Sequence, residues 1–252
     1  MSKQDGLLQF DGAIENLSFY KTKRGYAVRK RSGVSGARIS NDPAFKRTRE
    51  NGQEFGRAGK ASKLLRTSFR DMIKNTADKG ATPRLTKEFV KVVKADATSD
   101  RGLRNVIDGE IGFIENFEFN MNSLMDTSLF APLTANIDRV AGTGTIELPP
   151  FKPVEGIQSP DGATHFIITC GVSAIDFTGG KYESALVSSE VLVLDSNNTA
   201  PLKLTASVSP NSTFPMFLAL SIEFIQVVNG KPYKLSNGTY NSMKVVAVSA
   251  SV

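Results

Sequence analysis

The sequence has no tryptophan, one cysteine and one histidine in 252 residues. A lone cysteine, Cys170, excludes an intrachain disulfide. With His165 as the single histidine, no Cys/His set large enough for zinc can form. If residues 165–170 make one strand, alternation sends His165 and Cys170 to opposite faces, so they are no nucleophile–base dyad. Also missing are G-x-S-x-G, H-E-x-x-H, a dinucleotide fingerprint and the Gly-Lys-Ser/Thr of a P-loop. No stretch reaches the ~18–20 continuous apolar residues that cross a bilayer. The opening Met1-Ser-Lys-Gln-Asp-Gly-Leu-Leu8 lacks the apolar core of a signal peptide. The expectation is a cytoplasmic protein, or one assembled into a particle there, with no membrane span, cofactor, metal or catalytic residue. Asp126, Asp138, Glu147, Asp176, Glu183, Glu190 and Glu223 are available carboxylates, but their spacing demands no pair and they read as solvated strand and loop positions.

What the chain does have is a lopsided charge. Residues 1–107 carry 24 Lys+Arg against 11 Asp+Glu, a net of +13, and residues 108–252 carry 7 against 14, a net of −7. A basic segment of this kind meets phosphate, acidic protein or anionic lipid. An oppositely charged half in the same chain adds docking of one copy on the next. At 40% hydrophobic and 22% charged, the composition is that of a globular protein.

The basic region begins with a predicted hairpin or three-stranded ribbon over residues 7–31. Leu7, Leu8 and Phe10 come first, Asp11-Gly12 reads as a turn, and residues 13–20 read as a strand. Lys21-Thr-Lys-Arg-Gly25 is a cationic tip, and residues 26–31 return. Lys21, Lys23, Arg24, Arg29, Lys30 and Arg31 are interleaved with Phe19, Tyr20 and Tyr26, the mixture that suits a single-stranded nucleic-acid platform. The same residues also serve a plain edge hairpin kept free of aggregation by its cations.

A helix is predicted from Pro43 to about Asn75, capped by Asp42 or Asn41. Phe55, Ala58, Ser62, Leu65, Phe69, Met72 and Ile73 share one face at helical spacing. Lys46, Arg49, Arg57, Lys60, Lys63, Arg70 and Lys74 collect mostly away from it. Gly52, Gly56 and Gly59 each cost about 1 kcal/mol against alanine in a helix interior. Either they admit a close neighbouring backbone or Asn51-Gly52 ends a first short helix. A second helix starts at Thr82-Pro83, with Leu85, Phe89, Val92 and Val93 apolar. The polar stretch 96–108 is the expected domain boundary.

After Glu110 the periodicity falls towards two. Candidate strands are 112–120, 135–140 with 143–148, 165–172, 182–195, 202–208, 217–228, and 231–235 with 243–248. Asn229-Gly230 between apolar runs is a strong hairpin signal. Short strands at this spacing predict an antiparallel β-sandwich. The run 216–228 is apolar on both faces, as a strand is when central in a core or covered by a neighbouring subunit.

The segments Ile14–Tyr26, Asn41–Asn51, Glu54–Arg66 and Asn105–Gly109 resemble an uncharacterised family seen widely in Bacteroidota genomes. That resemblance implies a bacterial intracellular setting and carries over no functional residues. In plan alone, a basic N-terminal part before a β-sandwich resembles the coat proteins of small icosahedral viruses, in which the basic part neutralises nucleic acid.

The reading is therefore an α+β protein: a basic N-terminal β-hairpin plus two helices (residues 1–107), then an antiparallel β-sandwich-like C-terminal domain (108–252). The expected function is that of a non-enzymatic, self-assembling subunit of a filament, tube or shell. Its basic half contacts nucleic acid or the acidic surface of a neighbour. The alternative is a soluble nucleic-acid-binding monomer or dimer.

Overall fold

The computed structural model describes residues 2–3, 9–23, 25–30, 33–235 and 238–251. They divide into two compact units, Met1–Arg49 and Glu50–Val252. The stretch 96–108, expected as a boundary, falls inside the second unit.

The first unit is a small antiparallel sheet followed by short helical turns. Its strands are β1 (Ser2–Lys3), β2 (Gly12–Ile14), β3 (Leu17–Thr22) and β4 (Gly25–Lys30), in the order β1-β4-β3-β2. The turn between β2 and β3 is Glu15-Asn16, with Glu15 at φ 47, and not Asp11-Gly12. The expected strand 13–20 is therefore two strands folded on each other. Leu7 and Leu8 lie outside the described residues. Helix α1 (Gly36–Asn41) is capped by Ser35, whose hydroxyl accepts from the Arg38 amide. A 3₁₀ turn at Pro43–Phe45 is capped by Asp42, which accepts from the Ala44 amide at 2.9 Å. That amide is the main influence holding the Asp42 carboxyl below its usual range, with Arg38 adding to it.

Helix α2 (Lys46–Ser68) runs through Gly52, Gly56 and Gly59 without a break. The chain steps out of helical geometry at Phe69 (φ −106, ψ 25) and resumes as α3 (Arg70–Thr76) and α4 (Ala81–Lys94). Of the two alternatives, a helix ending at Asn51-Gly52 is not what forms; the helix predicted over 43–75 breaks at Phe69 instead. Phe69 is itself fully buried.

In the second unit, helices and sheets form three layers. The middle layer is built on β7 (His165–Asp176) and β11 (Met216–Val228), paired antiparallel over Met216–Ile225. β8 (Lys181–Ser188) and β9 (Leu192–Val193) flank β7, while β12 (Lys231–Lys234) and β13 (Ser242–Ser249) flank β11. The β11–β12 turn places Asn229 and Gly230 at φ 51 and 73, the left-handed pair a two-residue hairpin needs. One outer layer is the sheet β10-β6-β5, from Leu202–Ser207, Thr143–Leu148 and Thr134–Asp138. Two single-turn helices, α5 (Met125–Ser128) and α6 (Pro153–Gly156), flank it in sequence. The other outer layer is α2–α4.

Strand alternation explains the doubly apolar β11. Met216, Leu218, Leu220, Ile222 and Phe224 pack with Ile146, Leu148 and Leu204 of the small sheet. Phe217 and Ala219 point the other way, into a cluster with Leu65, Phe69, Leu85, Phe89 and Val93 of the helices. Both faces of β11 are therefore covered within the chain. The expected strand 112–120 is instead a 3₁₀ turn, Ile111–Ile114, and a turn at Glu115-Asn116, after which the chain follows β13, with the Asn116 and Phe119 amides donating to the Val245 and Met243 carbonyls.

The polar stretch 96–108 is strapped in place. Buried Asp96 accepts from the amides of Thr98, Ser99 and Asn105. Burial alone would raise its carboxyl pKa, but these donors outweigh it and hold the carboxyl well below its usual range. Arg57 of α2 donates to the carbonyls of Gly102 and Arg104 at 2.7 and 2.9 Å, and the Gly102 amide donates to Glu54 at 2.8 Å. Glu50 and Glu54 consequently occupy the buried side of α2, and Phe55, expected in the core, is 61% exposed.

Candidate nucleic-acid and partner interface

The expected binding cations fall into three groups. In the first unit, Lys21 lies 5.7 Å from the ring centre of Tyr26, directly across the β3–β4 ladder, and Arg29 lies 5.6 Å from the ring of Tyr20. Lys23 and Lys30 are exposed, while Arg24 and Arg31 lie outside the described residues. In the second group the charge is used internally. Arg49 donates to the carbonyls of Ile39 and Asp42, and Arg57 straps the 102–104 loop as described. In the third group, Lys46, Lys60, Lys63, Arg70 and Lys74 are exposed along α2 and α3. Of the cations expected to collect away from the apolar face, Arg49 and Arg57 are thus bound to backbone carbonyls. At Gly52, Gly56 and Gly59, an added Cβ would meet nothing within 4 Å among the described residues outside the helix itself.

The two sheet faces of the first unit differ in character. Directly opposed residues share a face, so Ile14, Leu17, Phe19, Val28 and Tyr26 lie together, edged by Lys21 and Lys30. The ring of Phe10 packs on Phe19 at 5.6 Å. Yet Phe10, Ile14 and Leu17 are 47%, 51% and 42% exposed, and Ala27 is the only buried hydrophobic residue described before residue 50.

In the second unit a groove of about 990 Å³ runs between α2, residues 105–108 and the β7–β8 turn. Its floor is apolar, from Leu64, Val106 and Phe177, and Lys60 and Lys63 stand on the α2 wall. Tyr182 forms the opposite wall. It pairs with Ile175, which faces the helices, so its ring leaves the sheet on the helix side. Tyr182 lies in the acidic half and its link to the lysines is long-range, so nothing local in the sequence marks it.

The lone histidine and cysteine do not meet. His165 Nδ1 bonds the Thr164 hydroxyl at 2.8 Å. Cys170 is fully buried on the face towards the small sheet, where burial pushes its thiol up to about 11, so it is not a ready nucleophile. Among the described residues, no group of three or more His, Cys, Asp or Glu side chains could hold a metal ion. Several of the carboxylates singled out in the sequence have separate partners. Asp126 pairs with Lys244, Glu147 with Lys203 and Glu223 with Lys234. Asp176 holds the amides of Thr178 and Gly179, and Glu183 that of Ser209.

One acid outside that set has an unusual setting. Glu118 accepts from the Met125 amide through Oε1, while its buried Oε2 has no partner. Burial, reinforced by Asp126 and only partly opposed by the Met125 amide and Lys244, pushes its carboxyl up to about 7.

Together these elements define an α+β protein with a sheet sealed between helices and a second sheet. Its exposed cations sit beside rings in two separate places. No family, curated protein or solved structure matches the chain. Among the described residues, no helix is long and apolar enough to cross a membrane.

Proposed function

We propose that this chain is a non-enzymatic, self-assembling structural subunit whose basic N-terminal unit docks on a neighbouring copy. The observation that carries this reading is the first unit's sheet, which has an apolar face and, among the described residues, only Ala27 buried. A sheet needs that face covered to be stable, by a helix layer or another sheet. Charge favours a second copy as the cover. Residues 1–49 carry 11 Lys+Arg against 4 Asp+Glu, a net of +7, opposite in sign to the −7 of residues 108–252.

The test is light scattering on the full chain across concentration and salt. Masses at multiples of 27.2 kDa are expected. A Leu17→Glu, Phe19→Glu double variant should return the protein to the single-chain mass with its main thermal transition unchanged. A wild-type chain that stays at the single-chain mass throughout would mean that the chain covers its own sheet, and would end the proposal.

A second reading, a nucleic-acid-binding monomer or dimer, is favoured by the pairing of Lys21 with Tyr26 and Arg29 with Tyr20. Cations beside rings serve phosphate and base at once.

A further inference from the structure

We infer that the groove between α2 and the β7–β8 turn binds single-stranded nucleic acid, with phosphates on Lys60 and Lys63 and a base against Tyr182. The inference is independent of assembly, and it places the contact in the second unit rather than on the N-terminal sheet.

Charge selects a polyanion. Lys60 and Lys63 are exposed and make no ion pair with a described residue, and the Arg57 guanidinium at the same wall is bound only to neutral carbonyls. Among the described residues Asp108 is the one acid lining the groove, and its carboxylate accepts from Asn105 Nδ2 at 2.7 Å. Lys60 and Lys63 are three residues apart, about 4.5 Å along the helix axis at about 1.5 Å per residue. Both line the groove, so a phosphate backbone lying in it meets two cations on the same wall.

Shape and rings select a single strand over a duplex. The floor is apolar, and the Tyr182 and Ile107 side chains are 43% and 42% exposed beside it. An aromatic face stacks a base only when that base is unpaired and splayed out, whereas duplex bases are stacked on each other. The turn opposite the lysines contains Gly179-Gly180. Gly180 sits at φ 67, and an added Cβ would meet nothing within 4 Å, so the backbone there is bare and a ligand can approach closely.

The experiment is fluorescence anisotropy of a labelled ten-nucleotide oligothymidylate with the full chain, with thermal melts confirming that every variant is folded. Binding should weaken with salt by about 0.7 log units per contacted phosphate for each log unit of salt. Lys60→Glu with Lys63→Glu should lower affinity at least tenfold. Tyr182→Ala should lower it roughly tenfold and Tyr182→Phe should restore it, because stacking needs the ring and not the hydroxyl. A duplex of the same length should not compete.

Absence of oligonucleotide binding would overturn the inference. So would binding that tolerates the groove variants but is lost in Lys21→Glu with Arg29→Glu, which would leave the second reading above standing on the N-terminal sheet. Equal, Tyr182-independent binding of polyglutamate would overturn it in favour of an acidic protein partner.

Discussion

β3 and β11 are both flanked by strands on either side, yet their surroundings are opposite. Phe217 of β11 is fully buried against helices and its neighbour Leu218 against a second sheet. Phe19 of β3 is only half-buried, packed on the ring of Phe10, on a face where Ile14 and Leu17 stay exposed. Hydrogen-bonded ladders are present in both, so the ladder does not distinguish them. Burial does: β11 can hold its conformation on the chain's own contacts, whereas β3 depends on something that covers it. If the proposed docking holds, stability and association fall to different parts of one sequence.

The sharpest way to break this comparison is to empty the sealed side. Phe217→Ala should lower unfolding free energy by about 3–5 kcal/mol, measured by denaturant titration. A loss below about 1 kcal/mol would mean that the helix–sheet seam is not the stabilising core.

A pH series tests the same unit at Glu118, whose Oε2 is buried without a partner among the described residues. Glu118 has a pKa raised from the ordinary 4.5 to about 7. Between those values the unfolded chain has lost the proton while the folded chain retains it, so stability falls as pH rises from about 4.5 to 7 and then levels. The full shift would correspond to about 3 kcal/mol, and because the carboxyl is only partly buried, solvent screening reduces the drop to the order of 2 kcal/mol. Glu118→Gln keeps an acceptor for the Met125 amide without the ionisation, and its profile over that range should be flatter by that amount. An unchanged profile would assign the pH dependence to other groups.

Gly56→Ala separates helix stability from association. With open space at the added methyl, it should stabilise the chain by about 0.5–1 kcal/mol. If the melting temperature rises while the assembled mass is lost, another backbone packs on α2 in the assembly. If both hold, the glycines are dispensable. The smallest effect belongs to the bare sheet: Phe19→Ala should change the unfolding of residues 50–252 by less than about 0.5 kcal/mol while weakening association. A large destabilisation would erase the contrast between the two sheets.

Much of this fold was legible locally. Residues 143–148 and 202–208 read as strands from alternation, and Asn229-Gly230 read as a hairpin because left-handed backbone suits those residues. Leu85, Phe89, Val92 and Val93 marked the buried side of α4. The misreadings came from distant partners. Phe55 fits the apolar spacing of α2, but Glu54 takes the buried place because the Gly102 amide, far along the chain, satisfies its carboxylate. Residues 112–120 alternate like a strand, yet their first half curls into a 3₁₀ turn before the chain bonds to β13. Glu15-Asn16 was overlooked as a turn because Asp11-Gly12 carries the stronger signal. Of the candidate sites, the cations of α2 were visible as charge, but the ring opposite them was not, since the tertiary fold alone brings Tyr182 to Lys60.

The layering of the second unit also sets an order of events during synthesis. Helix α4 ends at Lys94, whereas β13, which supplies Met243 and Val245 to the helix-side cluster, ends at Ser249. At about 5–20 residues per second, the ribosome needs roughly 8–30 s to make the chain between those points. Throughout that interval Leu65, Phe69, Leu85 and Phe89 are translated and still await the strands that will bury them. A nascent chain in this window carries an amphipathic helical surface without its mate, so chaperone capture of the growing polypeptide should peak before β11 emerges and fall once β13 is out.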